Sequence, residues 1–351
     1  MPTIEIDLYS DTQTRPTQAM RDAMANAPVG DEQRGEDPTT NRLCEMTAEL
    51  LGKEAAVFMP SGTMCNQIAI LIHCRPGDDI VADRTAHIIN SEGGGCAVFA
   101  GASIRPIDGE RGIFSAEQAE AAIRKARRHA PRTRMIEIEQ TANSGGGSIW
   151  PLETIQAVGV VAKAHDLVLH MDGARLLNAV VASGVSARDF SEPFDSVWVD
   201  LSKGLGCPVG AVLAGSEDFI EQAWQWKQRM GGAMRQSGSI AAAGVYALEH
   251  NVDRMAEDHE NAQHFADSIA NLPGIRVEPD RIETNMVFFD VSQTGLTAGE
   301  VHQRLLERGV RIGENDRYRM RVVTHLDVTR DEVAKAAEAV RDVVMEASRA
   351  A

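Results

Sequence analysis

Asp200-Leu201-Ser202-Lys203-Gly204-Leu205-Gly206 follows the apolar run Phe194 to Val199, so a lysine stands just past a strand-like segment, between a small hydroxyl residue and a glycine-rich turn. Upstream, His170-Met171-Asp172-Gly173-Ala174-Arg175 puts an aspartate at the end of a second such run. A lysine amine held in this way can capture an aldehyde as a Schiff base. A carboxylate nearby can keep a heteroaromatic nitrogen protonated, so that the ring withdraws electrons. Those two demands belong to pyridoxal 5'-phosphate (PLP), and Lys203 and Asp172 are the residues that fit them.

Outward from this stretch the chain alternates helical segments with short apolar runs. The runs are Ala55 to Met59, Asp79 to Ala82, Arg134 to Glu139, Leu167 to Met171, Ser196 to Val199 and Ala211 to Ala214. Runs of this length between amphipathic helices predict a mostly parallel sheet covered on both faces, an α/β architecture. Helices are expected over Thr39 to Leu51, where Leu43, Met46, Thr47 and Leu50 form a stripe, and over Leu152 to His165, behind Pro151. Another is expected over Ser237 to Asn251, running on through Ala270. After Leu272-Pro273-Gly274 the pattern changes to that of a smaller C-terminal α+β domain. The expected organisation is an N-terminal segment (1–16), a large domain (17–252) and a small domain (253–351).

The chain has 351 residues, 43% of them hydrophobic, a formal net charge of −16 and a pI near 5.1. This balance argues against nucleic acid or an anionic membrane surface as partner. The densest basic stretch, Arg124-Lys125-Ala126-Arg127-Arg128, reads as a solvated helix face. Five cysteines, Cys44, Cys65, Cys74, Cys96 and Cys207, show neither CxxC pairs nor metal-type Cys/His spacing, so reduced buried thiols and no catalytic metal are expected. No signal peptide or membrane span is apparent, and the expected compartment is the cytoplasm.

Seven segments occur in an order that resembles the L-threonine aldolase family of the aspartate-aminotransferase-like PLP fold (fold type I). They are Asp7 to Thr17, Gly35 to Thr39, Pro60-Ser61-Gly62-Thr63-Met64, His170 to Arg175, Ser202-Lys203-Gly204, Gly231 to Gln236, and Val322 to Val328. The resemblance implies a PLP-binding large domain, with Lys203 as the Schiff-base lysine and Asp172 as the partner of the ring nitrogen. Gly62 and Thr63, at a helix start where unpaired N–H groups and the helix dipole suit a dianion, become phosphate ligands. Arg235 resembles a second phosphate contact, and in the family this site lies at a subunit interface, so a homodimer or homotetramer is implied. His87 matches the histidine that stacks on the cofactor ring. Its ordinary pKa of about 6.5 also makes it the candidate base for a β-hydroxyl. Ser10, Arg175 and Arg321 are implied to hold an amino-acid carboxylate, a task suited to arginine's planar fork, and Arg175 is implied to contact the cofactor as well. The glycine runs Gly93 to Gly95 and Gly145 to Gly147 lack a nucleotide-loop pattern and read as tight turns.

The implied reaction cleaves Cα–Cβ of an L-threonine-type or L-allo-threonine-type β-hydroxy-α-amino acid, giving glycine and an aldehyde. Amino-acid racemisation or β-elimination on the same scaffold is the alternative, because fold and cofactor do not fix which bond at Cα breaks. The chain departs from many relatives in Tyr9 for arginine, Arg34 for tyrosine and Ala142 for histidine. Arg34 adds a cation expected near the substrate entrance. Ala142 removes a second imidazole expected near the β-hydroxyl.

Overall fold

The computed structural model describes residues 3–279 and 281–350. Its strands in chain order are β1 (Ile6–Leu8), β2 (Ala55–Met59), β3 (Asp78–Asp83), β4 (Ser103–Ile107), β5 (Arg132–Glu139), β6 (Val168–Gly173), β7 (Ser196–Asp200), β8 (Ala211–Gly215), β9 (Arg276–Glu278), β10 (Met286–Asp290), β11 (Val310–Glu314) and β12 (Arg319–Val323). They form two sheets, one in each of two compact units. One unit is Pro16–Val252, and the other joins the chain up to Arg15 with the chain from Asp253 onward.

In the larger unit the order is β2-β8-β7-β6-β5-β3-β4. The five strands β7, β6, β5, β3 and β4 run parallel, while β8 lies antiparallel between β2 and β7. Both faces are covered, which is why β3, β6, β7 and β8 are buried throughout; β8 is apolar along its length, while β3 and β6 carry buried polar residues, among them Asp78, Asp79 and Asp83 on β3 and His170 and Asp172 on β6. The helix Gly62–His73 presents Cys65, Ile68 and Ala69 to an apolar cluster with Val57, Trp198 and Leu213. The edge strand β4 has no counterpart among the expected runs. Its sequence Ser-Ile-Arg-Pro-Ile is polar on alternate positions, and Pro106 is tolerated because an edge leaves one side of the ladder unpaired.

The smaller unit has the order β1-β11-β12-β10-β9, parallel only between β1 and β11. Its core includes Leu8, Phe265, Phe289, Ile312, Val322 and Val340. The first strand of the chain thus completes a sheet built mostly from the last hundred residues.

Two local expectations are corrected. The helix that begins at Gly238 ends at His250, and a second begins at Met255. Asn251 breaks the run because its side-chain amide turns away to donate to Leu205 O at 2.8 Å, in the turn that carries Lys203. The basic stretch 124–128 is no helix face, since the helix Ala116–Ala122 stops before it. Arg124 instead folds inward onto the fully buried Asp79 carboxylate at 2.6 Å.

Asp37 locks the entrance to the larger unit. Its carboxylate caps the helix Pro38–Leu51 through Thr40 N (2.9 Å) and also accepts from Gly30 N (3.1 Å) and Gly238 N (3.0 Å). Burial pushes its pKa up, but the three backbone donors outweigh it and hold the carboxyl below its usual range. Asp37→Ala is therefore expected to cost about 3 kcal/mol, from a lost cap plus two stranded N–H groups, seen as a lower urea midpoint. The depressed pKa means that this contribution is present above about pH 4 and is lost in stronger acid, so wild type and variant converge there.

Candidate functional site

Three neighbouring parallel strands end side by side, with Glu139 of β5 opposite Asp172 of β6, and Asp172 opposite Trp198 of β7. The C-terminal ends of parallel strands are where such sheets bind ligands. Close approach of the chain here requires glycine. A Cβ on Gly173 would fall 2.0 Å from Trp198 O, and one on Gly62 would fall 2.2 Å from the Trp198 ring.

Lys203 sits in the turn after β7, its side chain 17% exposed, with Nζ 2.6 Å from Asp200 Oδ2 and 5.6 Å from the centre of the Trp198 ring. Asp172 is buried at the adjacent strand end. Its Oδ1 accepts from Ala174 N at 3.0 Å and its Oδ2 from Asn66 Nδ2 at 2.8 Å. Burial, followed by the negative charge of Glu139, pushes its pKa up to about 7, against the pull of Lys203 and the Asn66 bond.

His87 begins the segment after β3. Its backbone N–H donates to Glu139 Oε2 at 2.8 Å, and its Nδ1 lies 2.9 Å from Glu92 Oε1. A carboxylate only accepts, so Nδ1 carries the proton and Nε2 is left as the basic nitrogen of the neutral ring. The Glu92 bond is the largest influence on this histidine and raises its pKa above the usual 6.5. Glu92 also accepts from Asn66 Nδ2 at 2.7 Å and from Gln67 Nε2. The ligand atoms of His87, Glu92 and Asp172 lie within 4.8 Å of one another, but the Asn66 amide already donates to both carboxylates. On β5, Glu137 is buried with no hydrogen-bond partner on either oxygen, and burial drives its pKa well above the carboxylate range, so it is held as the neutral acid.

Gly62 and Thr63 open the helix Gly62–His73 behind the Ser61 cap, which accepts from Met64 N at 3.2 Å. The turn containing Arg235 lies beside them, since a Cβ on Gly232 would fall 2.7 Å from Met64 Sδ. That turn is fixed by Glu32, which accepts from Met234 N and from the fully buried Lys227. Arg235 itself is exposed and pairs with Asp31 at 2.9 Å; Arg34, also exposed, approaches the same carboxylate at 3.9 Å. Arg175 is buried just past β6, its N–H donating to Gln140 O at 3.0 Å.

Within Pro16–Val252 the fold thus gathers Lys203, Asp172, His87 and Arg175 at the strand ends, with Gly62, Thr63, Arg235 and Arg34 on one neighbouring flank. Ser10 and Arg321 belong to the other unit, where Arg321 Nη2 donates to Tyr9 O at 3.3 Å, next to Ser10. Asn66, Glu92 and Glu139 are site residues that the reading of the sequence did not single out. Asn66 was accessible, being one helical turn past Gly62 on the face that meets the sheet.

The family profile described as β-eliminating lyase matches residues 7–292. The chain belongs to the β-eliminating lyase family. Among the relatives of this β-eliminating lyase family member, low-specificity L-threonine aldolase 1 of Arabidopsis thaliana is 42% identical over 333 residues, 93% of each chain. Low specificity L-threonine aldolase of Escherichia coli K12 is 41% identical, over 95% of this chain and 97% of that one. The structure of Leishmania major threonine aldolase superposes with a TM-score of 0.82 at 19% identity, covering 97% and 99% of the two chains. Sphingomonas wittichii serine palmitoyltransferase gives 0.75 at 16%, covering 98% and 88%.

The donor set fits PLP: an amine, a buried carboxylate of raised proton affinity on the adjacent strand, and a glycine-opened helix end with N–H groups for a phosphate. In cofactor-free protein no ring nitrogen stands against Asp172, so the effect of its raised pKa on stability can be measured. A carboxyl whose folded pKa is raised stabilises the fold relative to an ionised group in acid, and that advantage is lost as pH rises from about 4 through about 7. Urea unfolding of cofactor-free wild type and Asp172→Ala should show the variant gaining on wild type by roughly 4 kcal/mol across that window. A difference that stays flat with pH would mean that Asp172 titrates normally.

Proposed function

We propose that this chain is a PLP-dependent aldolase that cleaves β-hydroxy-α-amino acids of the L-threonine and L-allo-threonine type to glycine and an aldehyde. One observation carries the reading. Lys203 and a buried Asp172 stand at adjacent strand ends in a chain more than 40% identical, over nearly its full length, to low-specificity L-threonine aldolases. Racemisation and β-elimination are not favoured by those relatives.

PLP, when bound, supplies an electron sink for the pair left on Cα as the bond to Cβ breaks. Lys203 would hold the cofactor through its amine. Asp172 would hold the proton on the cofactor's ring nitrogen. Gly62, Thr63 and Arg235 would hold its phosphate. His87 would support the ring, and its Nε2 would take the β-hydroxyl proton. Glu92 on the opposite nitrogen strengthens that base, as a carboxylate orients and strengthens a catalytic imidazole elsewhere. Arg175 binds the substrate carboxylate, and Ser10 and Arg321 keep the same role by resemblance. Arg34 adds positive charge at the entrance.

No helix among the described residues is long and apolar enough to cross a membrane. A cytoplasmic homodimer or homotetramer, with the site at the subunit interface, completes the proposal.

Incubation with L-threonine and L-allo-threonine, followed by assay of glycine and acetaldehyde against pyruvate, ammonia and inverted enantiomer, separates the aldolase from its alternatives. Lys203→Ala is expected to abolish turnover and to lose the protein-bound cofactor absorbance that survives borohydride treatment and dialysis in wild type. Retention of that absorbance would place the anchor elsewhere.

The His87 assignment predicts that kcat/KM falls toward acid with a midpoint above pH 6.5, because the base must be neutral and Glu92 raises its pKa. His87→Asn should lose this limb of the profile, whereas a midpoint unchanged in the variant would exclude the residue.

Ala142 offers a methyl group where many relatives carry an imidazole. A missing hydrogen bond of about 1 kcal/mol changes a rate ratio only several-fold. The kcat/KM values for L-threonine and L-allo-threonine are therefore expected to agree within about tenfold in paired kinetic assays.

A further inference from the structure

Asn66 makes four hydrogen bonds from one buried amide, and their polarity can be assigned without ambiguity. Its Nδ2 faces the carboxylates of Asp172 (2.8 Å) and Glu92 (2.7 Å), while Oδ1 faces Trp198 Nε1 (2.7 Å) and His170 Nε2 (3.1 Å). An indole nitrogen only donates and a carboxylate only accepts, so the opposite amide orientation would set donor against donor and acceptor against acceptor. His170 must then donate from Nε2. Burial depresses its pKa to about 4, so the ring is neutral and Nδ1 is an acceptor. Ser196 Oγ, 2.8 Å away, spends its only proton there. His73 Nε2, 2.9 Å from the same oxygen, must therefore donate. Burial likewise holds His73 neutral, its pKa lowered to about 3, and its ring stacks on Phe219 at 4.8 Å.

The geometry explains why these groups meet. Asn66 and His73 are seven residues apart on one helix, hence on one face, and His170 and Ser196 are register partners on β6 and β7. The result is a hydrogen-bond chain with one direction, from His73 through Ser196 and His170 to Asn66, ending on two carboxylates.

We propose that Asn66 is the positioning residue of this site, fixing Asp172 directly and His87 through Glu92, and that the chain through His170, Ser196 and His73 locks its amide from behind. The inference rests on the reading of Asp172 as the partner of the PLP ring nitrogen. Around Asp172 the other charged groups are Glu139, Lys203, Glu92 and His87, and Asn66 is the side chain that supplies it with a hydrogen bond opposing its protonation.

The test uses Asn66→Ala and Ser196→Ala, the latter altering a hydroxyl that touches neither carboxylate. PLP affinity is measured by equilibrium dialysis. The Asp172 carboxyl titration is followed by 13C NMR in the cofactor-free proteins, a signature that a general packing defect would not move in a fixed direction. Asn66→Ala is expected to weaken PLP by about tenfold or more and to raise the Asp172 midpoint; Ser196→Ala should do both to a smaller, several-fold extent. Should Asn66→Ala fail to fold, Asn66→Ser, which also removes the amide, takes its place in both measurements. Wild-type affinity and an unmoved Asp172 midpoint in Ser196→Ala would overturn the lock, and the same result in Asn66→Ala would overturn the positioning role. Failure of wild type itself to bind PLP would instead refute the cofactor reading on which the proposal stands.

Discussion

Asp172 is a carboxyl buried at a strand end among other carboxyls, and the groups around it answer to that constraint. A carboxylate buried without a counter-charge gives up its ionisation. Here Glu139, Glu92 and Glu137 stand in the same electrostatic neighbourhood, with His87 and Lys203 as opposing charges. Glu137 resolves its share by staying protonated. Asp172 is left near the balance point at neutral pH, held toward ionisation by Lys203 and one side-chain donor. A cationic heteroaromatic nitrogen brought against it would tip that balance, so affinity for such a ring is built into the apoprotein's unfavourable charge.

Trp198 holds the geometry in which that charge can be used. Its ring fills the space that a side chain on Gly62 would need, its N–H orients Asn66, and its carbonyl sits where a Cβ on Gly173 would collide. One side chain therefore joins the helix start offered to a phosphate, the acid and, at 5.6 Å, the lysine. Changes at any of these points propagate through a packed indole rather than through a flexible loop, which is how a site keeps several groups in fixed mutual positions.

The features of this fold that follow from local pattern were legible in the sequence. Strands such as β2 and β7 announce themselves as short apolar runs, and Lys203 and Asp172 stand out because strand ends are where such residues are useful. What escaped depended on partners distant in sequence. Strand β4 is half polar because it is an edge. The break at Asn251 exists because Leu205 offers a carbonyl to its side chain. Arg124 leaves its expected surface because Asp79, 45 residues away, is otherwise a buried unpaired charge. Asn66 is the intermediate case: its place one turn past Gly62 puts it on the sheet-facing side of its helix, but its partners on β6, β7 and the segment of Glu92 appear only in the fold.

Position 142, where the resemblance implies an imidazole, shows how a small side chain is accommodated by its surroundings. A missing imidazole would leave a cavity if the surroundings were unchanged, and cavities in packed interiors are costly. Here Ala142 is buried at 3% exposure, and a Cβ on Gly112 would fall 2.7 Å from its methyl group. The turn 109–113 has closed onto the turn 142–148, tied by Ser148 Oγ to Arg111 O at 2.7 Å and by Arg111 Nε to Gly145 O at 3.1 Å. The backbone at Arg111 adopts φ 55°, a conformation that a side chain takes only under constraint. The smaller residue at 142 and the absent side chain at 112 are thus one packing solution. A larger side chain at position 142 would require the turn 109–113 to retreat, because the space beyond the Ala142 methyl group is already taken by the backbone at Gly112.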